Sequence, residues 1–236
     1  MQAKKLSIII PAYNESKTLV SLLEKIENVS PGLEKEIIIV DDDSTDGTVD
    51  ILRGLDQSQY KVILKNKNEG KGAAIKTGLG AAGGDFVIFQ DADLEYDPED
   101  YKILLKPLLE NTADLVIGSR VLSGSIRLFG PHRVSLVTYF GCRITALAIN
   151  ILYGRRGTDY YGCYKAIRRE ALKDVLVKAN GFEYDAELLC KLFKRGIKAV
   201  EVPTSYRSRD YSAGKKLSWR DGLIVMRSII RWRFQN

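Results

Sequence analysis

Two acidic clusters, each directly after a short apolar run, constrain this chain more than any other feature. Three aspartates at 41–43 follow the run 37–40, and Asp91-Ala92-Asp93 follows the run 86–89. Such runs, rich in β-branched and aromatic residues, are typical of buried strands in a parallel sheet, whose ligands bind beyond the carboxyl ends of the strands. Carboxylates gathered there repel one another, so the pattern predicts a divalent metal with a phosphate ligand. Helix capping is the competing explanation for residues 43–44.

The first 120 residues alternate strand and helix patterns. Apolar runs predict strands at 6–10, 37–40, 61–64, 86–89 and 115–117, with helical periodicity between them. This alternation implies α/β architecture, with a mostly parallel central sheet flanked by helices. A further helix near 186–195 and a strand at 199–202 are predicted in the less regular second half. We therefore expect a single domain over residues 1–236.

Composition and charge narrow the functional classes. The chain is 45% hydrophobic and 28% charged, as in ordinary globular proteins, and its net charge of +6 favours anionic partners such as nucleotides, phosphates or anionic lipid. Nucleic acid is disfavoured, because the acidic clusters occupy the predicted ligand edge. Three widely spaced cysteines and no recognisable signal peptide indicate a reduced, cytoplasmic setting. A single histidine, His132, argues against a zinc site or a Ser-His-Asp triad.

Two segments of the second half are candidates for contact with a membrane. Residues 134–152 are apolar but carry Arg143 at their centre, which costs about 2.5–3.5 kcal/mol on insertion scales, so we interpret them as a buried or interfacial helix. The final helix, near 219–234, is amphipathic, with arginines along its edge. It either lies on a membrane surface or packs on the domain. Its predicted apolar stripe consists of Trp219, Leu223, Met226, Ile230 and Phe234.

Several motifs occur in a characteristic order and spacing. They are Pro11-Ala12-Tyr13-Asn14-Glu15, the segment 41–48, Asn68-Glu69-Gly70-Lys71-Gly72, Asp91-Ala92-Asp93, Gly118-Ser119-Arg120, Thr158-Asp159, and the segments 163–169, 201–203 and 214–222. The segment 68–72 fits neither a Walker A loop nor a dinucleotide fingerprint. Together the motifs resemble the inverting family 2 glycosyltransferases, within them the dolichol-phosphate mannose or glucose synthases, which are polyprenyl-phosphate glycosyltransferases.

The resemblance implies a glycosyltransferase A-type fold and a metal-dependent hexosyltransferase. A donor such as GDP-mannose or UDP-glucose would bind to residues 1–120, and a polyprenyl or dolichyl phosphate would bind to residues 121–236. Asp93 and Glu95 match the ligand positions for Mg²⁺ or Mn²⁺, with Glu95 standing where glutamine is frequent. The positions that match donor binding are Pro11, Tyr13, Glu15, Asp42, Lys71 and Asp91.

The resemblance also implies how the acceptor binds. A phosphate acceptor carries its own negative charge near neutral pH, so it needs a cationic clamp and no base. Arg120, Arg133 and Ser135 match acceptor-phosphate positions, and Arg207 is a further candidate, as are Arg127 and Arg209. Three acids, Asp159, Asp185 and Glu187, either include a catalytic base or organise these arginines. The alternatives are transfer to a hydroxyl of a glycan or glycolipid, which needs such a base, and a non-catalytic nucleotide-sugar binder.

The acceptor implied by the resemblance raises the question of membrane contact. Many polyprenyl-phosphate glycosyltransferases carry C-terminal transmembrane helices, whereas this sequence stops at Asn236. We therefore expect a peripheral protein at the cytoplasmic face of the membrane. It would reach the lipid through its surface, through the final helix or through a membrane-anchoring partner subunit.

Overall fold

The structure, a computed structural model, describes residues 4–127, 129, 134–208 and 219–235. In these residues the core is one seven-stranded sheet with the order β3-β2-β1-β4-β6-β5-β7. Every strand that the sequence predicts lies within an observed strand. The strands are β1 (Lys5–Ala12), β2 (Glu34–Asp41), β3 (Tyr60–Leu64), β4 (Phe86–Phe89), β5 (Leu115–Ser119), β6 (Lys165–Arg168) and β7 (Ala199–Pro203).

Helices flank the sheet and complete the predicted α/β architecture. Helix α3 packs on β1 and β2, and α4 packs on β5 and β6. The close approach of α3 requires glycine at position 78, because a Cβ there would collide with the side chain of Ile9. The helices are α1 (Leu19–Asn28), α2 (Thr48–Arg53), α3 (Lys71–Ala81), α4 (Tyr101–Leu109), α5 (Leu136–Tyr153), α6 (Tyr184–Lys194) and α7 (Trp219–Phe234).

One strand, β6, is missing from the sequence prediction. It lies between β4 and β5 and runs antiparallel to both, whereas the other strand pairs are parallel. Its four residues, Lys-Ala-Ile-Arg, give no clear strand pattern, since two charged residues enclose a short apolar pair. Because β6 runs in the opposite direction, the loop at 158–164 that precedes it reaches the same edge as the carboxyl ends of the parallel strands.

The last helix packs on the domain through a face other than the predicted one. Val225, Ile229 and Trp232 are buried against neighbouring elements, and the Tyr153 hydroxyl of α5 donates a hydrogen bond to the Ile229 carbonyl at 2.8 Å. In the predicted stripe, by contrast, Leu223 and Phe234 are 61% and 78% exposed. The helix is therefore apolar on two sides, and only one side is needed for packing.

Helix α5 also leaves most of its apolar surface uncovered. Only Cys142, Thr145, Ala146 and Ile149 of this helix are buried. By length and composition, α5 is the one helix among the described residues that is long and apolar enough to cross a membrane. The sequence predicts either a buried or an interfacial helix here. Because most of α5 is not buried, the structure excludes the buried helix.

Candidate functional site

A cavity of about 980 Å³ opens at the carboxyl edge of the parallel strands. The segments after β1, β2, β4 and β5 line it, together with the loop that precedes β6 and parts of α5, α6 and α7. Asp42 and the pair Asp91 and Asp93 share this lining. The structure thus brings the two acidic clusters of the sequence to one site, as the strand pattern predicts.

One end of the cavity is formed by the predicted nucleoside-binding positions. Pro11, Tyr13 and Glu15 follow β1 in the lining. Asp42 is buried, and its carboxylate accepts hydrogen bonds from Lys65 Nζ at 2.5 Å and from the Gly70 N–H at 2.6 Å. These bonds hold the loop after β3 against the cavity. Asp42 thus has a structural role in addition to its predicted contact with the base.

Lys71 and Asp91 form an ion pair in the cavity wall. Their side-chain atoms Nζ and Oδ1 lie 2.5 Å apart. Burial alone would lower the pKa of Lys71, but the Asp91 carboxylate outweighs burial and raises that pKa well above its ordinary value. A Cβ at Gly72 would lie 2.7 Å from the Tyr184 Cβ. The glycine beside Lys71 therefore admits the 179–184 segment, rather than bringing the helix closer to the sheet.

Asp93 and Glu95 are the residues that would hold a divalent cation. Both line the cavity, and the Glu95 N–H donates to Asp93 Oδ1 at 3.1 Å. The described residues contain no group of three His, Cys, Asp or Glu side chains placed to hold a metal unaided. Mg²⁺ is commonly bound by one or two carboxylates and the phosphates of a substrate. Asp93 and Glu95 therefore fit a cation whose other ligands come from the diphosphate of a substrate.

Arg120 is fixed in place by Asp159. The guanidinium donates through Nε to Asp159 Oδ2 at 2.7 Å and through Nη2 to Oδ1 at 2.9 Å. Burial would raise the pKa of Asp159, but the Arg120 charge and its hydrogen bonds hold that pKa below its ordinary value. Glu201 accepts the N–H of Asp159 at 2.8 Å and so positions this acid in turn. Asp159 organises an arginine, one of the two roles that the sequence leaves open.

The other predicted acceptor residues are only partly brought together. Arg120 and Ser135 line the cavity, and the Ser135 hydroxyl also caps α5 by accepting the Thr138 N–H at 3.1 Å. Arg207 and Arg127 are exposed outside the lining that the described residues form. The predictions for Arg133 and Arg209 lie outside the described residues.

The acidic pair of α6 is divided between two environments. Asp185 lines the cavity, whereas Glu187 is not in the part of the lining that the structure describes. Glu187 accepts the N–H groups of Lys178 and Ala179 at 2.9 and 2.8 Å, and Lys191 Nζ lies 2.5 Å from its carboxylate. The Glu187 carboxylate is thus bonded to the 178–179 backbone and to Lys191, outside the described lining, and its predicted catalytic role is not supported by this position. Residues i and i+2 of a helix face different directions, so the spacing already indicates this separation.

Sequence reasoning missed Tyr206 and Lys165. The Tyr206 hydroxyl donates to Glu95 at 3.1 Å, and its ring lies 5.1 Å from the Arg120 guanidinium carbon. Lys165 is fully buried, and its Nζ lies 2.5 Å from Asp185 Oδ2. The motif at 163–169 contains Lys165, but only the position of β6 shows that its side chain points inward. Tyr206 follows β7 without a sequence signal of its own.

The rest of the lining, from α5 and α7, is mostly apolar, although it also contains Thr138, Thr145 and Asp221. Its apolar residues include Val137 and Ile144 of α5 and Leu223 and Met226 of α7. The cavity therefore joins a charged half, at the edge of the sheet, to an apolar half between two helices. Ligands with a charged head and a hydrocarbon tail match this division.

Comparisons with known proteins agree with the motifs. The family described as "Glycosyl transferase family 2" matches residues 7–176. A dolichol-phosphate mannosyltransferase of Pyrococcus furiosus is 34% identical over 207 residues, which cover 87% of this chain and 57% of the relative. An undecaprenyl-phosphate mannosyltransferase of Micrococcus luteus is 28% identical over 232 residues, or 95% of this chain and 92% of the relative. The chain thus spans little more than half the length of the Pyrococcus relative.

Solved structures show the same fold. Glucosyl-3-phosphoglycerate synthase from Mycobacterium tuberculosis superposes with a TM-score of 0.72 at 25% identity, over 97% of this chain and 79% of that chain. The same enzyme in complex with Mn²⁺, uridine diphosphate and phosphoglyceric acid gives a TM-score of 0.69 at 24% identity, over 97% of this chain and 77% of that chain. The predicted glycosyltransferase A-type fold is confirmed.

Proposed function

Because the chain belongs to glycosyl transferase family 2, we propose that it transfers a hexose from a nucleotide sugar to a polyprenyl phosphate. The observation that carries this proposal is the division of the cavity. Its charged half holds Asp93, Lys71 and Arg120, and its apolar half lies between α5 and α7. A diphosphate and an acceptor phosphate fit the first, and an isoprenoid chain fits the second. The names of the Pyrococcus and Micrococcus relatives support the same acceptor class.

The chemistry follows from the charges of the two phosphates. An oxygen of the acceptor phosphate attacks the anomeric carbon, the bond from that carbon to the diphosphate breaks, and the nucleoside diphosphate leaves with the electron pair. A divalent cation, when bound, neutralises charge on the leaving diphosphate. Arg120 is fixed through Nε and Nη2 on Asp159, and Nη2 also lies 3.5 Å from Cys142 Sγ, so the position of its Nη1 group toward an acceptor phosphate is set in advance. Ser135 lies in the same lining. No step requires a general base.

A transfer assay tests this function directly. Purified protein is incubated with Mn²⁺ or Mg²⁺, a short polyprenyl phosphate, and either labelled UDP-glucose or labelled GDP-mannose. We expect labelled lipid from one donor, and none after addition of EDTA. Hydrolysis of a donor without lipid product would contradict the phosphate acceptor. Metal-dependent nucleotide binding with neither hydrolysis nor transfer would instead indicate a binding protein.

Transfer to a hydroxyl is the second candidate function, and one observation favours it. Asp185 Oδ1 is buried in the cavity without a hydrogen-bond partner among the described residues. Burial raises the pKa of Asp185, an effect that Lys165 opposes. A carboxylate in this position would suit a general base. Under this alternative, Asp185→Asn abolishes transfer to glycan or glycolipid hydroxyls and Arg120 is less important.

We further propose that α5 and α7 dock on an anionic lipid bilayer. Two observations support a bilayer as the occupant of this face. The exposed apolar residues are continuous with the cavity mouth, where Val137 and Leu223 belong to both. Exposed arginines of α7, at positions 220, 227, 231 and 233, match anionic headgroups. The exposed apolar side chains are Leu136, Val137, Phe140, Ile144, Leu147 and Ile151 of α5 and Leu223, Ile224, Ile230 and Phe234 of α7.

Vesicle flotation tests this docking. Leu147→Asp/Ile151→Asp alters exposed residues outside the cavity lining, whereas Val20→Asp alters an equally apolar surface residue on α1. With phosphatidylcholine vesicles containing phosphatidylglycerol, we expect the double variant to bind at least tenfold more weakly and Val20→Asp to bind like the wild type. Transfer to a short, water-soluble acceptor should not change. Equal binding by all three proteins would contradict this face, and no binding by the wild type would indicate an anchoring partner subunit instead.

A further inference from the structure

Two polar groups in the cavity form no hydrogen bond with the described residues. Asp185 Oδ1 and the Tyr161 hydroxyl are both buried, and neither has a hydrogen-bond partner among the described residues. Both residues line the cavity. A buried polar group without a partner costs free energy, and at a ligand site the ligand commonly supplies the missing bond. The two groups therefore mark a position where a ligand is expected to form hydrogen bonds.

The orientation of the Asp185 carboxylate is fixed by the buried ammonium of Lys165. Lys165 is fully buried, and its ammonium contacts Asp185 Oδ2 at 2.5 Å and also donates to the carbonyl of Gly162. Lys165 is the first residue of β6, and Asp185 lies in the first turn of α6. With Oδ2 bound to the ammonium, Oδ1 is the oxygen left to accept a hydrogen bond from a ligand.

The surroundings select the chemistry of that ligand. Burial and the nearby Asp185 carboxylate raise the pKa of Tyr161, so its hydroxyl stays protonated and can donate. The carboxylates of Asp91 and Asp221 also line the cavity. An anion is disfavoured at Oδ1, because it would approach a carboxylate. A neutral hydroxyl, which donates one hydrogen bond and accepts another, complements both unpaired groups at once.

We propose that Tyr161 and Asp185 bind a ring hydroxyl of the donor hexose, and that Lys165 is a positioning residue for Asp185. The hydroxyl donates to Asp185 Oδ1 and accepts from the Tyr161 hydroxyl. The inference rests on the proposed function, and it assigns Asp185 to recognition of the sugar rather than to proton abstraction. Tyr161 and Asp185 share their lining with Asp93, the candidate ligand of the cation, and with the Lys71–Asp91 ion pair, so a sugar attached to the diphosphate is the ligand part expected there.

Tyr161→Phe tests the proposal with the loss of one oxygen atom. Binding of UDP-glucose, GDP-mannose, UDP and GDP is measured by calorimetry in the presence of Mn²⁺. We expect the Kd of the nucleotide sugar to rise about tenfold and the Kd of the matching nucleoside diphosphate to stay unchanged. The Tm of the free protein should not fall, because the hydroxyl forms no hydrogen bond with the part of the chain that the structure describes. The matched control is Tyr160→Phe, whose hydroxyl bonds to Asn150 and Gly157; it should lower Tm and leave the ratio of the two Kd values unchanged.

Two further measurements separate the possible outcomes. Asp185→Asn should raise the Kd of the nucleotide sugar, whereas a fall in kcat at unchanged Kd would overturn the proposal in favour of a base. Lys165→Met should weaken binding of the nucleotide sugar more than binding of the nucleoside diphosphate, if Lys165 acts through Asp185. Equal losses for both ligands, or no loss, in Tyr161→Phe would overturn the sugar contact alone. A wild-type protein that binds no nucleotide sugar would overturn the proposed function as well.

Discussion

Asp93→Asn is expected to reduce the rate of transfer by about 10³-fold while the fold persists. Asp93 lies in the charged half of the cavity and is the principal candidate ligand for a cation that neutralises the leaving diphosphate. Such neutralisation is worth several kcal/mol in the transition state, and each 1.36 kcal/mol corresponds to about tenfold in rate. The amide has the shape of the carboxylate but lacks its charge. The rate is measured with saturating donor over a titration of Mn²⁺.

An exposed acid of the same loop provides the control. Glu99 lies outside the cavity lining and forms a surface ion pair with Lys102 at 3.2 Å, which is worth little energetically. Glu99→Gln should therefore retain the wild-type rate and metal dependence. If Asp93→Asn turned over at a rate near that of the wild type in metal-controlled buffer, Asp93 would not be the ligand and the assignment of the metal site would be wrong.

Arg120→Ala is expected to destabilise the protein by about 3–5 kcal/mol as well as to abolish transfer. Asp159 has no exposed surface, and Arg120 provides its two charged hydrogen bonds. Removal of one member of a buried ion pair leaves the other charge uncompensated, which accounts for the size of the loss. Removal of both charges in Arg120→Ala/Asp159→Ala should cost less than the single change. Urea denaturation of the three proteins at pH 7 gives the comparison.

The pH dependence of stability tests whether the ion pair of Arg120 and Asp159 is responsible for this loss. The folded pKa of Asp159 lies below its ordinary value, so the pair stabilises the fold fully above the ordinary carboxyl pKa of about 3.9 and loses that effect as pH falls through the lower folded pKa. The stability difference between wild type and Arg120→Ala/Asp159→Ala, which lacks both charges, should therefore be constant from pH 7 to about pH 5 and should shrink only in strong acid. A difference that disappears near neutral pH would assign the effect to another group.

The donor half of the site was the more predictable half. The acidic clusters directly follow strands that the sequence marks by short apolar runs, and parallel strands bring their carboxyl ends to one edge. Asp42, Asp91 and Asp93 could therefore be placed together from local pattern alone. Their roles toward the nucleotide and the metal stay predictions, because the fold shows proximity without showing the ligand.

The acceptor half was less predictable, because its residues come from segments without a clear pattern. Arg120 was correctly placed in the cavity by its motif, but its dependence on Asp159 requires a contact between residues 39 positions apart. Asp185 and Glu187 looked equivalent as a motif, yet helix geometry sends only the first to the cavity. The sequence also left undecided which side of α7 packs on the domain, because the helix is apolar on two sides.

The sequence by itself determined the α/β class, the strands that precede the acidic clusters and the family to which the chain belongs. These properties are local, because a strand or a motif is defined by neighbours in the chain. The tertiary structure alone decided that Lys165 lies beneath Asp185 and that Tyr161 reaches the cavity. Both follow from insertion of β6 antiparallel between β4 and β5. A four-residue strand with charged ends is stable only through the partners on either side, and those partners are distant in sequence.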